Sequence, residues 1–321
     1  MGVSSLPRGL IVDLITPLSR GGDIDGRSLE RLLDRVLPYG QALLLAGPCG
    51  GEGRRLRADQ REELLHKGLH LVKDRVPLLV WITEETPEKT AQTLLLLKKR
   101  MGKKSLRSRV FWVDTPLYYQ SNRGLPRYYR EFVETAEQPL VLHNDPGLIK
   151  ELSRPFKRNN IRTAVLKQLS LLDRIQGLIF LGSLDRAHNY QKAVRARTEF
   201  RIFDGEESRF LTYPSLSGIV SIGANLAPRA WRRITDSSLN LGGDRTEYPD
   251  RLQQIWKTGQ YLGELLEICR HNPVPLIKQI LSDIGILETP ACLVETGPPG
   301  KAPERIRELM ESYGDFDEHS A

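Results

Sequence analysis

The chain has 321 residues, of which 40% are hydrophobic and 27% charged, and its formal net charge is +7 at pH 7. This length and composition predict a globular chain with a sizeable core and exclude a chain that is disordered throughout. No apolar run approaches the roughly 20 residues of a membrane-spanning helix, and the N-terminus lacks the apolar core of a signal peptide. We therefore expect no membrane association and a cytoplasmic location.

The chain contains three cysteines, Cys49, Cys269 and Cys292. They are odd in number, widely spaced and without a CxxC pair, which argues against a disulfide framework and against a zinc site. The carboxylates that follow the predicted strands show no metal-ligand spacing either. We expect no metal ion and no other cofactor.

Short apolar runs alternate with amphipathic stretches from the beginning of the chain. The apolar runs predict buried parallel strands, and the amphipathic stretches, such as residues 28–37 with leucines on one face, predict the helices between them. The predicted strands cover residues 8–17, 41–46, 76–83, 109–113, 139–144, 177–182, 200–204 and 218–222. Eight such strands with helical crossovers in about 240 residues predict a (β/α)8 TIM barrel rather than an open sheet.

Helical patterns continue after the eighth predicted strand further than one crossover helix requires. We therefore assign residues 1–235 to the barrel and residues 236–321 to a C-terminal helical extension that ends in an acidic tail.

Several motifs lie where the predicted strands end, which is where a barrel gathers the residues that bind ligands and carry out chemistry. They are Thr16-Pro17, the glycine-rich loop 47–53, Pro116-Leu117-Tyr118-Tyr119, Asn144-Asp145-Pro146, residues 218–228 (GIVSIGANLAP) and residues 272–278 (NPVPLIK). In this order, over residues 8–287, they resemble the motifs of the dihydrodipicolinate synthase and N-acetylneuraminate lyase family of class I aldolases. The resemblance implies a TIM barrel, lyase chemistry on a 2-oxo acid and a homo-oligomer.

The sixth strand is where this chain departs most from that family. The resemblance implies a lysine there that forms a Schiff base with pyruvate or another 2-oxo acid, because a protonated imine withdraws electrons from the adjacent carbon. The matching position is Phe180, or Ile179 if the register shifts by one residue. Neither side chain can form an imine, so we expect the Schiff-base lysine to be absent.

Two further positions of the family's site carry other residues. Where the family has a tyrosine proton relay on the fifth strand, this chain has His143, which can act as acid or base near neutral pH. The other interpretation is a histidine that is merely hydrogen-bonded in the pocket wall. Leu148 stands where dihydrodipicolinate synthases have an arginine for the carboxylate of the second substrate. That second substrate is therefore not expected here.

The glycine-rich loop also differs. In the family, two hydroxyl residues after the first glycine hold the carboxylate of the 2-oxo acid; here Pro48 and Cys49 replace them, and Gly50 or Gly51 is an extra residue. Pro48 also removes an N–H donor. The glycine nest predicts a lowered pKa for the Cys49 thiol, which makes a pair of Cys49 and His143 a candidate for nucleophilic catalysis. An unreactive small thiol is the other interpretation.

We predict three candidate catalytic residues, His143, Tyr119 and Cys49. The predicted pocket takes residues from several strand ends, namely Thr16, Gly47, Pro48, Cys49, Gly50, Phe180, Ser183 and Ile222. Tyr118 and Tyr119 match the aromatic pair that the family places near a subunit contact, which predicts a homo-oligomer, a dimer or a tetramer.

Three functions are open at this point. The first is a catalytically silent or repurposed member, a pseudoenzyme, that binds a small molecule such as a 2-oxo acid. The second is an active lyase or aldolase on an unidentified 2-oxo acid-type substrate, with His143 as acid or base and a lysine from another strand or subunit. The third is nucleic-acid binding through the basic cluster between Lys98 and Arg109. That cluster lacks interleaved aromatic residues and joins a helix to a strand, on the barrel face opposite the strand ends, so we expect no nucleic-acid partner.

Overall fold

The computed structural model of the chain describes residues 5–101, 109–152, 158–214, 216–241, 250–293 and 300–314. Eight parallel strands form a closed barrel in chain order, and the last strand pairs with the first. Helices lie between consecutive strands and continue after the last one. The predicted (β/α)8 TIM barrel with C-terminal helices is therefore confirmed.

The strands are short and almost fully buried. They are β1 (Gly9–Asp13), β2 (Ala42–Leu45), β3 (Leu78–Trp81), β4 (Val110–Asp114), β5 (Leu140–Asn144), β6 (Ile175–Phe180), β7 (Arg201–Asp204) and β8 (Gly218–Ser221). Successive side chains of a strand point to opposite faces, so β1 directs Ile11 into the barrel and Leu10 and Val12 toward the helices. The molecule thus has two apolar layers, one inside the barrel and one between the strands and the helices.

Nine α-helices among the described residues accompany the barrel strands. They are α1 (Gly26–Val36), α2 (Ala58–Val72), α3 (Pro87–Arg100), α4 (Leu125–Ala136), α5 (Pro146–Glu151), α6 (Thr163–Leu169), α7 (Leu184–Val194), α8 (Glu207–Thr212) and α9 (Pro228–Leu239). Short 3-10 helices cover Pro116–Tyr118 and Gly223–Asn225. In α1, Asp25 caps the N-terminus by accepting hydrogen bonds from the N–H groups of Arg27 and Ser28, and Leu29 and Leu33 lie on its buried face.

The C-terminal part of the chain adds α10 (Asp250–Cys269), α11 (Pro273–Asp283) and α12 (Ala302–Tyr313). The ring of Tyr313 stacks on Tyr261, with ring centroids 4.1 Å apart, and so joins α12 to α10. The predicted acidic tail, residues 315–321, lies outside the described residues. Within the described ranges, no helix is both long and apolar enough to cross a bilayer.

The basic cluster at the end of α3 is partly described. Lys98 pairs with Glu137 at 3.0 Å, and Arg100 pairs with Glu62. Residues 102–108, which contain the middle of the cluster, lie outside the described residues. The two cations named here are therefore engaged by carboxylates of the barrel itself, one in α2 and one directly after α4.

Candidate ligand site at the barrel mouth

Side-chain alternation at the end of β6 decides which residue faces the barrel interior. Ile179 belongs to the interior apolar cluster, together with Val141 of β5 and Phe203 of β7. Phe180 points outward, where its fully buried ring packs on Tyr190 of α7 with ring centroids 5.1 Å apart. Phe180 therefore does not line the pocket as predicted, because strand alternation turns its side chain toward the helices. Ile179 occupies the inward position.

The glycine-rich loop after β2 is folded so tightly that side chains do not fit at several of its positions. The N–H group of Gly53 donates to the carbonyl of Gly47 at 2.9 Å and closes the loop. A β-carbon at Gly51 would overlap the backbone of Ala46 and Gly47. Thr16 is fully buried, and its Oγ1 donates to the carbonyl of Gly51 at 2.7 Å. Thr16, predicted as a pocket residue, thus braces the loop against the segment that follows β1.

Asp13, the last residue of β1, lies directly against this loop. The N–H group of Gly50 donates to Asp13 Oδ2 at 3.2 Å. A β-carbon at Gly47 or Gly50 would lie 2.9 or 2.6 Å from the carboxyl carbon of Asp13, which is closer than such atoms pack. Asp13 Oδ1 is shielded from water and has no hydrogen-bond partner among the described residues. Burial, reinforced by the charge of Glu207 and opposed by the hydrogen bond from Gly50, raises the pKa of Asp13 to about 7.

Glu207 is a second carboxyl group at this end of the barrel. It accepts hydrogen bonds from the hydroxyl of Ser221 and from the N–H group of Gly223, the latter at 2.8 Å. Burial raises the pKa of Glu207 to about 7 in spite of these two donors. Neither Asp13 nor Glu207 is among the site residues predicted from the sequence, where Glu207 counts only as one of the strand-end carboxylates without metal-ligand spacing.

Glu207 also lies on the wall of a cavity of about 550 Å³ between the loops after β6, β7 and β8 and helices α10 and α11. Ile222, a predicted pocket residue, lines this cavity together with Leu181. Ser183, predicted for the same pocket, instead caps α7 by accepting from the N–H group of Arg186 at 3.4 Å. The residues predicted to line one pocket thus lie in different places: Thr16 against the glycine-rich loop, Ile222 in the cavity wall and Ser183 at the N-terminus of α7.

A buried ion pair joins the glycine-rich loop to α11. Lys278 is fully buried, and its Nζ donates to Glu52 Oε2 and, at 2.8 Å, to the carbonyl of Ala291. The other carboxylate oxygen of Glu52 accepts from the N–H group of Leu293 at 2.7 Å. Both charged groups are therefore satisfied inside the protein, and they anchor the loop to the C-terminal helices.

His143 lies near the end of β5, and its ring contacts the hydroxyl group of Thr115, which directly follows β4. Its Nδ1 is 2.9 Å from Thr115 Oγ1, and Trp81 Nε1 donates to the same hydroxyl oxygen at 2.9 Å. Burial lowers the pKa of His143, although the charge of Asp145 opposes this shift. The imidazole is therefore neutral at pH 7, which suits either a general base or a wall residue.

Tyr119 faces a buried carboxylate of its own chain. Three hydroxyl groups donate to Asp114: Thr83 Oγ1 at 2.7 Å, Tyr119 Oη at 2.6 Å and Tyr129 Oη at 2.5 Å. Burial and the charge of Asp114 raise the pKa of Tyr119 well above its ordinary value. The Tyr119 hydroxyl is thus engaged as a hydrogen-bond donor to the end of β4.

Cys49 lies at the outer edge of the loop and is exposed. Although the residue keeps exposed surface, protein atoms surround its sulfur, and this desolvation together with the charges of Asp145 and Asp13 raises the pKa of Cys49. The predicted lowering of this pKa is therefore wrong. The carboxylates that add to this shift come from the ends of β1 and β5, so they face the loop only in the folded barrel.

The model of the dihydrodipicolinate synthetase family matches residues 6–296 of the chain. The chain belongs to this family. Among curated proteins, 4-hydroxy-tetrahydrodipicolinate synthase of Thermotoga petrophila is 25% identical over 312 residues, which cover 96% of this chain and 99% of that protein.

Solved structures of the dihydrodipicolinate synthetase family share the fold. Dihydrodipicolinate synthase from Thermotoga maritima superposes with a TM-score of 0.78 at 21% identity, over 96% of this chain and 99% of that one. YagE, a prophage protein of E. coli K12 solved in complex with pyruvate, gives a TM-score of 0.76 at 20% identity, over 97% and 99% of the two chains.

This member of the dihydrodipicolinate synthetase family carries carboxyl, imidazole and apolar groups at its strand ends. Its glycine-rich loop contacts a carboxyl group of the protein itself, Asp13, and the inward residue of β6 is the apolar Ile179. His143 is the one candidate catalytic residue whose neutral side chain suits acid–base chemistry at neutral pH.

Proposed function

We propose that this protein is a dihydrodipicolinate synthetase family member that binds a small molecule at the barrel mouth and forms no Schiff base on β6. The observation that carries the proposal is the inward position of Ile179 among apolar side chains such as Val141 and Phe203. Imine formation requires an unprotonated amine that reaches the ligand's carbonyl carbon, and an alkyl side chain has no such group. The fold is that of the family, so binding at the barrel mouth is the function that these residues support.

The position of two lysines supports the same proposal. Lys278 is close to the glycine-rich loop, but its ammonium group is fully buried and engaged by Glu52 and the carbonyl of Ala291. An amine that is enclosed by the protein and held by two acceptors has no path to the carbonyl carbon of a ligand. Lys167 lies exposed in α6, in the outer helical layer.

A second candidate function is a lyase or aldolase reaction on a 2-oxo acid-type substrate with His143 as acid or base. The observation that favours it is the neutral imidazole at the end of β5, with Nδ1 in contact with Thr115 Oγ1. The names of the relatives, including a synthase and a pyruvate complex, make 2-oxo acids the first substrate class to screen.

Borohydride trapping tests the first proposal. The protein is incubated with pyruvate and a panel of other 2-oxo acids, reduced with borohydride, and its intact mass is measured. A family member with a lysine at this β6 position is the positive control. We expect an unchanged mass, because reduction makes only an imine permanent. A mass gain that matches a reduced imine overturns the proposal, and the variant Lys278→Met shows whether that lysine supplied the amine.

The His143 candidate is tested by turnover. If the substrate screen finds an activity, His143→Gln is expected to lower kcat by about 100-fold or more, as removal of a general acid–base group does. An activity that survives this change excludes His143 as the acid or base.

The proposal also includes a homo-oligomer, a dimer or a tetramer, in the cytoplasm. Its support is the pair Tyr118 and Tyr119 after β4, which matches the family's aromatic pair near a subunit contact. Sedimentation at two protein concentrations is expected to give a mass of two or four chains of 36.4 kDa, and a single-chain mass contradicts the assembly.

A further inference from the structure

The cavity of about 550 Å³ between the barrel loops and helices α10 and α11 is widened by missing side chains of α10. Gly259 and Gly263, about one helical turn apart, both line it, and a β-carbon added to either would meet no atom of the surrounding structure within 4 Å. Glycine inside a helix is destabilising relative to alanine, so these two glycines are explained by the open space rather than by helix stability. The space is large enough for a small organic molecule.

Apolar side chains from several elements form much of the cavity wall. The wall includes four that keep part of their surface accessible, namely Leu181, Leu211, Ile222 and Leu266. An apolar ligand that covers this surface removes it from water, which favours binding. The walls therefore favour a ligand with an apolar body.

The charged groups around the cavity are mostly acidic. Of the described residues that line it, three carry carboxyl groups, Glu206, Glu207 and Glu267, and one, Arg270, is a cation. Arg270 pairs with Glu267 at 3.2 Å, so no cation of the described lining balances Glu206 and Glu207. A ligand that carries a positive charge is therefore favoured over one that carries a negative charge.

Glu207 is positioned to receive that positive charge. It lines the cavity and keeps part of its surface accessible. The Ser221 hydroxyl and the Gly223 N–H group both donate to Oε1, which leaves Oε2 for a ligand. Both donors are neutral, so a ligand ammonium group supplies the carboxylate with a countercharge and a charge-assisted hydrogen bond. Since the pKa of Glu207 is about 7, its carboxyl group is ionised at pH 8.

We propose that this cavity binds amphipathic primary amines: the ammonium group pairs with Glu207, and an alkyl or aromatic body packs on the apolar walls beside Gly259 and Gly263. This inference rests on the proposed function as a small-molecule binding protein, and it names the class of ligand. It concerns reversible binding between the loops and α10, whereas the trapping experiment concerns an amine on β6.

The test compares three ligands with the same apolar chain, n-hexylamine, 1-hexanol and hexanoate, by ligand-observed NMR titration at pH 8. We expect n-hexylamine to bind about tenfold or more tightly than 1-hexanol, because a charge-assisted hydrogen bond is stronger than a neutral one. Hexanoate is expected to bind most weakly, because its charge has the same sign as the ionised glutamates. Ethylamine has the charge without the chain and is expected to bind about tenfold or more weakly than n-hexylamine.

Two variants locate the binding to the cavity. Glu207→Gln keeps the size of the side chain and is expected to reduce the preference for n-hexylamine over 1-hexanol by about tenfold, with little change for 1-hexanol. Gly259→Leu fills the open space and is expected to weaken both ligands by about tenfold or more, and Gly263→Leu replaces it if it does not fold. Gln260→Leu adds the same side chain at an exposed position of α10 outside the cavity and is expected to leave both affinities unchanged.

Several results would overturn the inference. They are equal affinity of the wild-type protein for n-hexylamine and 1-hexanol, a preference that Glu207→Gln leaves unchanged, and binding that neither glycine variant weakens. Absence of saturable binding of n-hexylamine up to about 10 mM has the same consequence. Because the titration uses no 2-oxo acid and no borohydride, a negative result leaves the β6 proposal to its own test.

Discussion

The N–H group of Gly50 donates to Asp13 Oδ2 at 3.2 Å, and a β-carbon at Gly50 would lie only 2.6 Å from the carboxyl carbon of Asp13. A strand residue and a loop residue that are 37 positions apart thus share one small space. The effect of substituting one of these two residues on stability therefore depends on the other residue.

The first prediction is a non-additive pair. Gly50→Ala is expected to lower the free energy of unfolding by about 1–3 kcal/mol, because the added methyl group meets the Asp13 carboxyl group. In the background of Asp13→Ala the same change is expected to cost clearly less. Urea denaturation of the two single variants and the double variant measures the coupling. If the cost of the double variant equals the sum of the two single costs within about 0.5 kcal/mol, the contact between Gly50 and Asp13 is contradicted.

The second prediction concerns pH. The pKa of Asp13 is about 7 in the folded protein and 3.8 by its ordinary value, so between these values the folded state binds the extra proton. Stability is therefore greatest at low pH within this range, falls as pH rises through it, and levels off above about 7. From pH 5 to pH 8 this group alone lowers the free energy of unfolding by about 2–3 kcal/mol.

Asp13→Asn removes that contribution and is expected to flatten the pH dependence of stability between pH 5 and pH 8. Glu207, whose pKa is also raised to about 7, acts in the same direction, so Glu207→Gln serves as the parallel variant. Urea denaturation at both pH values is the measurement. If Asp13→Asn leaves the pH dependence of stability unchanged, the prediction is contradicted, because the Asp13 carboxyl group is then already ionised at pH 5 in the folded protein.

The third prediction concerns the ion pair between Lys278 and Glu52. Lys278→Met leaves a buried carboxylate without its cation and is expected to cost about 3–5 kcal/mol. The double variant with Glu52→Gln is expected to recover part of this loss. Arg270→Ala, which breaks the exposed pair with Glu267, is the control and is expected to cost less than about 1 kcal/mol. A Lys278→Met cost as small as that control contradicts the anchoring role.

The fourth prediction concerns Thr115, which holds His143 and Trp81 at the same hydroxyl oxygen. Thr115→Val keeps the shape but removes that oxygen, so the buried Trp81 N–H group loses its acceptor at an expected cost of about 1–3 kcal/mol. Thr212→Val, at an exposed position in α8, is expected to cost less than about 0.5 kcal/mol. Thermal denaturation compares the two, and equal melting temperatures contradict the predicted network.

Much of the fold was predictable because strand and helix patterns are local. The apolar run at 177–182 predicted a buried strand, which the structure places at Ile175–Phe180. It was harder to predict which side chains of a strand face the barrel interior. In β6 this depends on an irregular register with β5 at Leu140 and Val141, which shifts the alternation of side chains along the strand. The sequence pattern alone does not show whether Ile179 or Phe180 is the inward-facing residue of β6.

The site was less predictable because its contacts join distant parts of the chain. Asp13 carried a usable signal: it is two residues after the inward-facing Ile11, so strand alternation alone turns it into the barrel. The pair of Glu52 and Lys278 spans 226 positions, so no local sequence pattern could predict it. The raised pKa of Cys49 likewise depends on desolvation of the thiol, and on the charges of Asp145 and Asp13, which only the folded barrel brings to the loop.

The intact mass of the protein after borohydride reduction in the presence of pyruvate shows whether the barrel supplies an amine that forms an imine. With Ile179 as the inward residue of β6, the expected mass is that of the unmodified chain, while a family member with a lysine at this position gains the mass of the reduced imine. A stoichiometric mass gain in this protein would contradict the proposed absence of Schiff-base chemistry, because it would show an amine within reach of the ligand's carbonyl carbon.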